Sequence, residues 1–170
     1  MASSQAQPDR IRIRSSTPED LPSIAEIQNG AFPSGGWTAT DYLRLAREPE
    51  GLLIIAELRE VMPSQVVGFA ALRRIDDQAE LLSLAVASGY RRLGIGRALL
   101  REVLLRLQSL DVRTLYLEVR PSNHAALKLY HSEGFVLNSI RSDYYHHPHE
   151  DAYVLFRNIP ATSNDRASPE

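Results

Sequence analysis

Two glycines stand two apart in the run Val86-Ala-Ser-Gly-Tyr-Arg-Arg-Leu-Gly-Ile-Gly-Arg97, where an apolar stretch gives way to a helical pattern. A glycine lets the backbone approach a ligand without a Cβ in the way. The first N–H groups of a helix have no intrahelical partner, and with the helix dipole they suit a pyrophosphate. Arg91, Arg92 and Arg97 gather positive charge there, in a chain whose formal net charge is only −2. No Gly-Lys-Ser/Thr follows, so this is not a P-loop. Leu99 stands where a dinucleotide fingerprint needs its last glycine, so it is not that either. The residues themselves allow an anion-binding turn or a tight loop with solvated arginines.

Other residues able to do chemistry lie downstream. Glu118 falls on the polar face of a segment whose other face is apolar. It could act as a general base, or be an edge carboxylate paired with Arg120 or with an arginine of a neighbouring strand. Tyr130 follows Asn123 by seven residues. Two helical turns put both on one face with Leu127. Its phenol could donate a proton or simply sit at the rim of a core. Phe32 and Trp37, beside Gly35-Gly36, suit peptide contact or a core plug. Tyr144 and Tyr145 could line a groove or pack a hairpin. The run His146-His-Pro-His149 with Glu150-Asp151 raises the question of a metal. So crowded a run at a hairpin tip is not expected to converge on one ion, and no metal site is expected. Cysteine is absent, which excludes a disulfide, a thiolate metal site and a cysteine nucleophile.

These residues need elements to place them. Ile11 to Arg14 alternates as a short strand. Thr17-Pro-Glu-Asp20 has the cap, proline and acids of a helix start, and the helix runs to Ala31. A loop at 32–37 leads to a second helix, Thr38 to Arg47. Strands are expected at Gly51 to Leu58 and Val66 to Arg74, with a turn at Met62 to Gln65 between them. Glu80 to Ala87 is almost continuously apolar and reads as a strand buried on both faces. Ile95, Leu99, Val103 and Leu107 recur every four residues in a helix from Gly94 to Leu110. Thr114 to Arg120 alternates, with Leu115, Leu117 and Val119 on one face. Ser122 is the expected cap of a helix ending near Gly134. Phe135 to Tyr145 and Asp151 to Asn158 form a closing hairpin. The order β-α-α-β-β-β-α-β-α-β-β predicts an α/β (α+β) fold, a mixed sheet with helices packed on it.

The length, 170 residues, suits one domain, here 11–159, with polar tails at 1–10 and 160–170 expected to be disordered. Nineteen basic residues against 21 acidic ones leave no global field for nucleic acid. The first ten residues lack the apolar centre of a signal peptide, and no apolar run reaches the ~20 residues of a membrane span. A cytoplasmic protein with no membrane partner is expected.

Arg91-x-x-Gly94-x-Gly96, opening a helix after an apolar strand, resembles the acetyl-CoA motif of the GNAT N-acetyltransferases. The resemblance extends over about Ile11 to Ile159. Leu117-Glu-Val-Arg-Pro-Ser-Asn123, Ala126-Leu-Lys-Leu-Tyr130, Gly134-Phe135, Arg141-Ser-Asp-Tyr-Tyr145 and Glu150-Asp-Ala152 look like the RimI branch, whose enzymes acetylate protein N-termini, a ribosomal protein in the founding case. The resemblance implies a GNAT fold of about seven mostly antiparallel strands and about four helices. It implies acetyl-CoA as cosubstrate and a protein or peptide N-terminus as acceptor, with the enzyme a monomer or weak dimer. Glu118 matches the catalytic glutamate and Tyr130 the tyrosine that protonates departing CoA. Asn123 matches a side chain holding the pantetheine arm. Leu84, Ala85 and Val86 match the segment that pairs with pantetheine as an added strand. The run Arg91, Arg92, Leu93, Gly94, Ile95, Gly96 and Arg97 matches the pyrophosphate turn. Phe32, Trp37, Tyr144 and Tyr145 are the implied acceptor-lining residues. In the relatives Trp follows the Phe-Pro pair directly; here Ser-Gly-Gly intervenes. With no cysteine to carry an acetyl group, direct attack in a ternary complex is expected. The alternatives are a GNAT enzyme acting on a small amine or a lysine side chain, or a non-catalytic acetyl-CoA-binding module.

Overall fold

The computed structural model describes residues 10–59 and 63–161. The expected tails lie almost wholly outside these residues, as does Met62 of the predicted turn. Seven strands form one sheet in the order β1-β2-β3-β4-β5-β7-β6. They are β1 (Ile11–Ser15), β2 (Gly51–Leu58), β3 (Gln65–Ile75), β4 (Gln78–Val86), β5 (Thr114–Val119), β6 (Val136–His146) and β7 (His149–Asn158). The helices are α1 (Leu21–Ala31), α2 (Ala39–Arg47), α3 (Ile95–Ser109) and α4 (His124–Ser132). This is the predicted element order. β1–β2, β2–β3, β5–β7 and β6–β7 are antiparallel pairs.

The chain divides into two compact units. One comprises residues up to Arg73 with Leu81–Glu102; the other comprises Arg74–Glu80 with the chain from Val103 onward. In the first, Ile24, Tyr42, Leu45, Ile55, Phe69 and Ala71 are completely buried in one apolar cluster. Each such large side chain contributes about 1.5–3 kcal/mol by leaving water. Trp37 packs on this cluster, its ring 5.4 Å from that of Tyr42, which in turn meets Phe69 edge-on at 5.2 Å. The buried Gln28 side chain accepts hydrogen bonds from Tyr42 Oη at 2.7 Å and Ser83 Oγ at 3.0 Å. Two polar groups thus enter this core already satisfied. Ile95, Leu99, Val103 and Leu107 of α3 are all buried, as their spacing requires.

In the second unit β5 alternates without exception: Leu115, Leu117 and Val119 are buried, and Thr114, Tyr116 and Glu118 are half-buried. β6 and β7 meet in a two-residue connection, His147-Pro148, with His146 opposite His149.

Three expectations are corrected. β4 is fully buried on one face only. Ala79, Leu81, Ser83 and Ala85 point inward, while Leu82, Leu84 and Val86 are half-buried. A continuous apolar run cannot by itself tell one buried face from two. The first turn before α1 is a separate 3-10 turn, Pro18–Asp20. Thr17 is its N-cap as expected, and Thr17 N–H donates back to the Asp20 carboxylate at 2.8 Å in a capping box. Finally, the cap of α4 is Asn123, whose Oδ1 accepts from Ala126 N–H at 3.2 Å. Ser122 instead donates its N–H and hydroxyl to Glu150, at 2.6 and 2.9 Å.

Candidate active site

The expected anion turn lies in the first unit, between β4 and α3. Arg92 and Gly94 both have left-handed backbone, with φ of 64° and 79°. Such alternation turns successive N–H groups toward one side of the chain. Gly94 also starts α3, its carbonyl accepting from Ala98 N–H at 3.0 Å. Having no side chain, it cannot cap the N–H groups that follow. A Cβ built at Gly94 would meet nothing within 4 Å. The space a ligand phosphate needs is therefore open, and the residue types fit acetyl-CoA at this place. Arg91, Arg92 and Leu93 are exposed, Gly96 and Arg97 half-buried, and Ile95 is buried beneath the turn. Arg91 Nε donates to the Val86 carbonyl at 3.1 Å, so one of its donors is turned back on β4. Leu84 and Val86 are half-buried on the less covered face of β4, and Ala85 faces inward.

The expected proton-transfer residues lie in the second unit. Glu118 projects from β5 with 16% of its side chain exposed and holds Arg141 of β6 at 2.8 Å. The partner is neither Arg120 nor an arginine of a neighbouring strand, since β7 lies between β5 and β6. The Glu118 carboxylate near its hydroxyl, followed by burial, raises the Tyr144 pKa. Arg141 also lies 5.5 Å from the Tyr144 ring centre. Glu118, Arg141 and Tyr144 therefore form one cluster. Tyr145 packs edge-on against Tyr144 at 5.0 Å. Burial, then the charge of Glu118, pushes the Tyr145 phenol up to about 12.

Tyr130 is placed by the end of its helix. Phe135 N–H donates to the Tyr130 carbonyl at 3.0 Å and Gly134 N–H to the His131 carbonyl at 3.1 Å. With φ of 83° at Gly134, these bonds form a Schellman cap. The apolar contact that accompanies such a cap is the packing of the Tyr130 and Phe135 rings, 5.6 Å apart. Tyr130 is buried, and burial with the nearby Tyr145 raises its pKa well above the ordinary phenol value. It stays protonated, as a proton donor must.

Arg120 was not assigned a site role from sequence, yet it fixes the hairpin tip. Its guanidinium donates to the Pro148 and His147 carbonyls at 3.0 and 3.2 Å, pairs with Glu150 at 3.3 Å, and lies 4.0 Å above the Tyr145 ring. A cation over an aromatic face adds attraction. Glu150 links this latch to Ser122 and so to the loop before α4. The available signal was positional: Arg120 directly follows a strand and precedes a proline.

Not every assigned residue joins these groups. Asn123 spends its carbonyl oxygen on the α4 cap, and as an N-cap it stands outside the helical face it was expected to share with Tyr130. Trp37 is part of the first unit's core, and Phe32 is 40% exposed. Among the described residues, side-chain donor atoms of Asp143, His146 and His149 lie within 4.8 Å of one another.

Comparison with known proteins agrees with this architecture. The model of the acetyltransferase (GNAT) family matches residues 21–135. The chain is 36% identical over 149 residues to ribosomal protein bS18-alanine N-acetyltransferase of Salmonella typhimurium, covering 85% of this chain and 94% of that one. It is 31% identical over 153 residues to an N-alpha-acetyltransferase of Sulfurisphaera tokodaii, covering 85% and 90%. The crystal structure of the ribosomal-protein-S18-alanine N-acetyltransferase from Escherichia coli superposes with a TM-score of 0.80 at 31% identity, covering 92% and 99%. The chain belongs to the GNAT acetyltransferase family and is an acetyl-CoA-dependent N-acetyltransferase.

Proposed function

We propose that the acceptor is the N-terminal α-amine of a protein or peptide, a ribosomal protein being the model acceptor by analogy with the relatives' names, and that transfer is by direct attack in a ternary complex in the cytoplasm. One observation carries this reading. Glu118, the matched base, is half-buried and paired at 2.8 Å with Arg141 of β6, the strand that carries Tyr144 and Tyr145 assigned to the acceptor.

Acetyl-CoA supplies an activated acyl group and the sulfur leaving group. The residues of the chain then have four tasks. The turn at 91–97 holds the diphosphate by backbone N–H groups and arginine. Leu84 to Val86 offer strand edges to the pantetheine. Glu118 takes the proton of the incoming ammonium, directly or through water. An α-amine loses its proton near pH 8, against about 10.4 for lysine, so a carboxylate suffices for this acceptor. Tyr130 gives its proton to the departing sulfur as the new amide bond forms and the carbon–sulfur bond breaks, and the second proton lost by the amine nitrogen leaves to solvent, from which the phenolate is reprotonated. Arg141 neutralises Glu118 while no amine is present; an arriving ammonium is a second cation able to meet the same carboxylate. Tyr144 and Tyr145 flank the acceptor chain.

A competition assay tests the acceptor class. The enzyme is given acetyl-CoA with equal amounts of a lysine-free peptide bearing a free α-amine, an N-blocked lysine peptide and a polyamine. Fragment mass spectrometry is expected to place the acetyl group on the α-nitrogen. Turnover confined to lysine or polyamine would overturn the reading.

A further inference from the structure

We propose that the tip of the β6–β7 hairpin binds one divalent transition-metal ion through Asp143, His146 and His149. The backbone explains why three residues of a crowded run meet. His146 and His149 are directly opposite each other across the two-residue connection, so their side chains share a face. Their rings stand 5.5 Å apart at 74°. Asp143 and His146, three apart in a regular strand, would face opposite ways. The register of β6 shifts between Arg141 and Tyr145, however, and Asp143 has a left-handed φ of 51°. That bulge turns Asp143 onto the histidine face, where its Oδ1 lies 2.9 Å from His149 Nδ1.

The three donor atoms fall within 4.8 Å of one another. Two donors about 2.0–2.1 Å from a tetrahedral ion stand roughly 3.3 Å apart, so small side-chain rotations close the set. Two imidazoles and one carboxylate favour zinc, nickel, cobalt or copper over magnesium and calcium, which want more oxygens. Water completes the shell, since all three side chains are exposed. The turn is already held by Arg120 on the His147 and Pro148 carbonyls, and Asp143 N–H is held by Asp151 at 2.8 Å. Little further ordering of the backbone is needed. Tyr144 and Tyr145 lie between the ligands Asp143 and His146, so a bound ion staples the segment that carries them. The metal site itself does not depend on the acceptor assignment.

The test is calorimetric titration of the full chain, without a histidine tag and after chelator treatment, with zinc chloride. One equivalent is expected to bind in the micromolar range. His146→Ala and His149→Ala are expected to weaken binding at least tenfold and Asp143→Asn severalfold, while His147→Ala leaves it unchanged. Cobalt(II) serves as a second probe: visible absorption should rise with one equivalent and vanish in the His149→Ala protein. The altered residues are at an exposed tip, and unchanged circular dichroism confirms that the variants are folded. No saturable binding, undiminished binding in His149→Ala, or an equal loss in His147→Ala would overturn the proposal.

Discussion

Tyr130, the proposed proton donor, is also a structural residue. Its carbonyl closes the cap of α4, its ring fills the contact with Phe135, and its buried phenol stays protonated. Removing only the hydroxyl leaves the first two functions in place. Tyr130→Phe is therefore expected to lower kcat by roughly 10²-fold or more while acetyl-CoA affinity changes less than twofold, as rapid-quench kinetics and calorimetry would measure. Glu118 and Tyr130 were legible from sequence as chemical candidates, because a lone carboxylate on a clean alternating strand and a tyrosine in the family pattern stand out. Their partners were less legible. Arg141 reaches Glu118 from β6 although β7 lies between β5 and β6 in the sheet, and no local pattern encodes so distant a contact. Asn123 was seen as a helix-face residue, whereas the backbone uses it one position outside the helix.

At the scale of elements, the sequence was most informative where periodicity was strong. The four-residue recurrence in α3 and the alternation in β5 appear in the structure as fully buried stripes. Strand ends differed by one or two residues, and β4 was less covered than its apolar run suggested. The hairpin tip was least legible, since a bulge with Asp143 in the left-handed region changes which residues share a face. The cap ending α4 makes a prediction of its own. Gly134 has room for a methyl group, with nothing nearer than 3.8 Å to a built Cβ, but its φ is 83°. Gly134→Ala is accordingly a pure backbone cost. It should destabilise the protein by about 1 kcal/mol, lowering the thermal midpoint by roughly 2–4 °C. An unchanged midpoint would show that the cap contributes nothing.

For the whole molecule, near-neutral charge places the burden of stability on packing and on a few desolvated ion pairs. The chief one joins Arg14 to Asp20 at 2.7 Å and to Glu57 at 2.9 Å, with both carboxylates more than nine-tenths covered. Burial alone would raise the Asp20 pKa; hydrogen bonds from Arg14 and Thr17 outweigh it and hold the group below its usual value. A depressed folded-state pKa contributes stability above the unfolded value near 4, and that contribution is lost as pH falls through the folded value. Asp20→Asn should therefore cost roughly 2–3 kcal/mol at pH 7, with the difference from the parent shrinking below about pH 4 in urea melts. A difference independent of pH would contradict this. The proposed mechanism rests on Glu118 as the group that accepts the amine proton. The most direct measurement is kcat of Glu118→Gln on an N-terminal peptide, with acetyl-CoA affinity and thermal midpoint determined on the same preparation. A fall in kcat of roughly 10²-fold or more, with affinity within twofold and the fold intact, is the predicted result. Undiminished turnover by that variant would contradict the account.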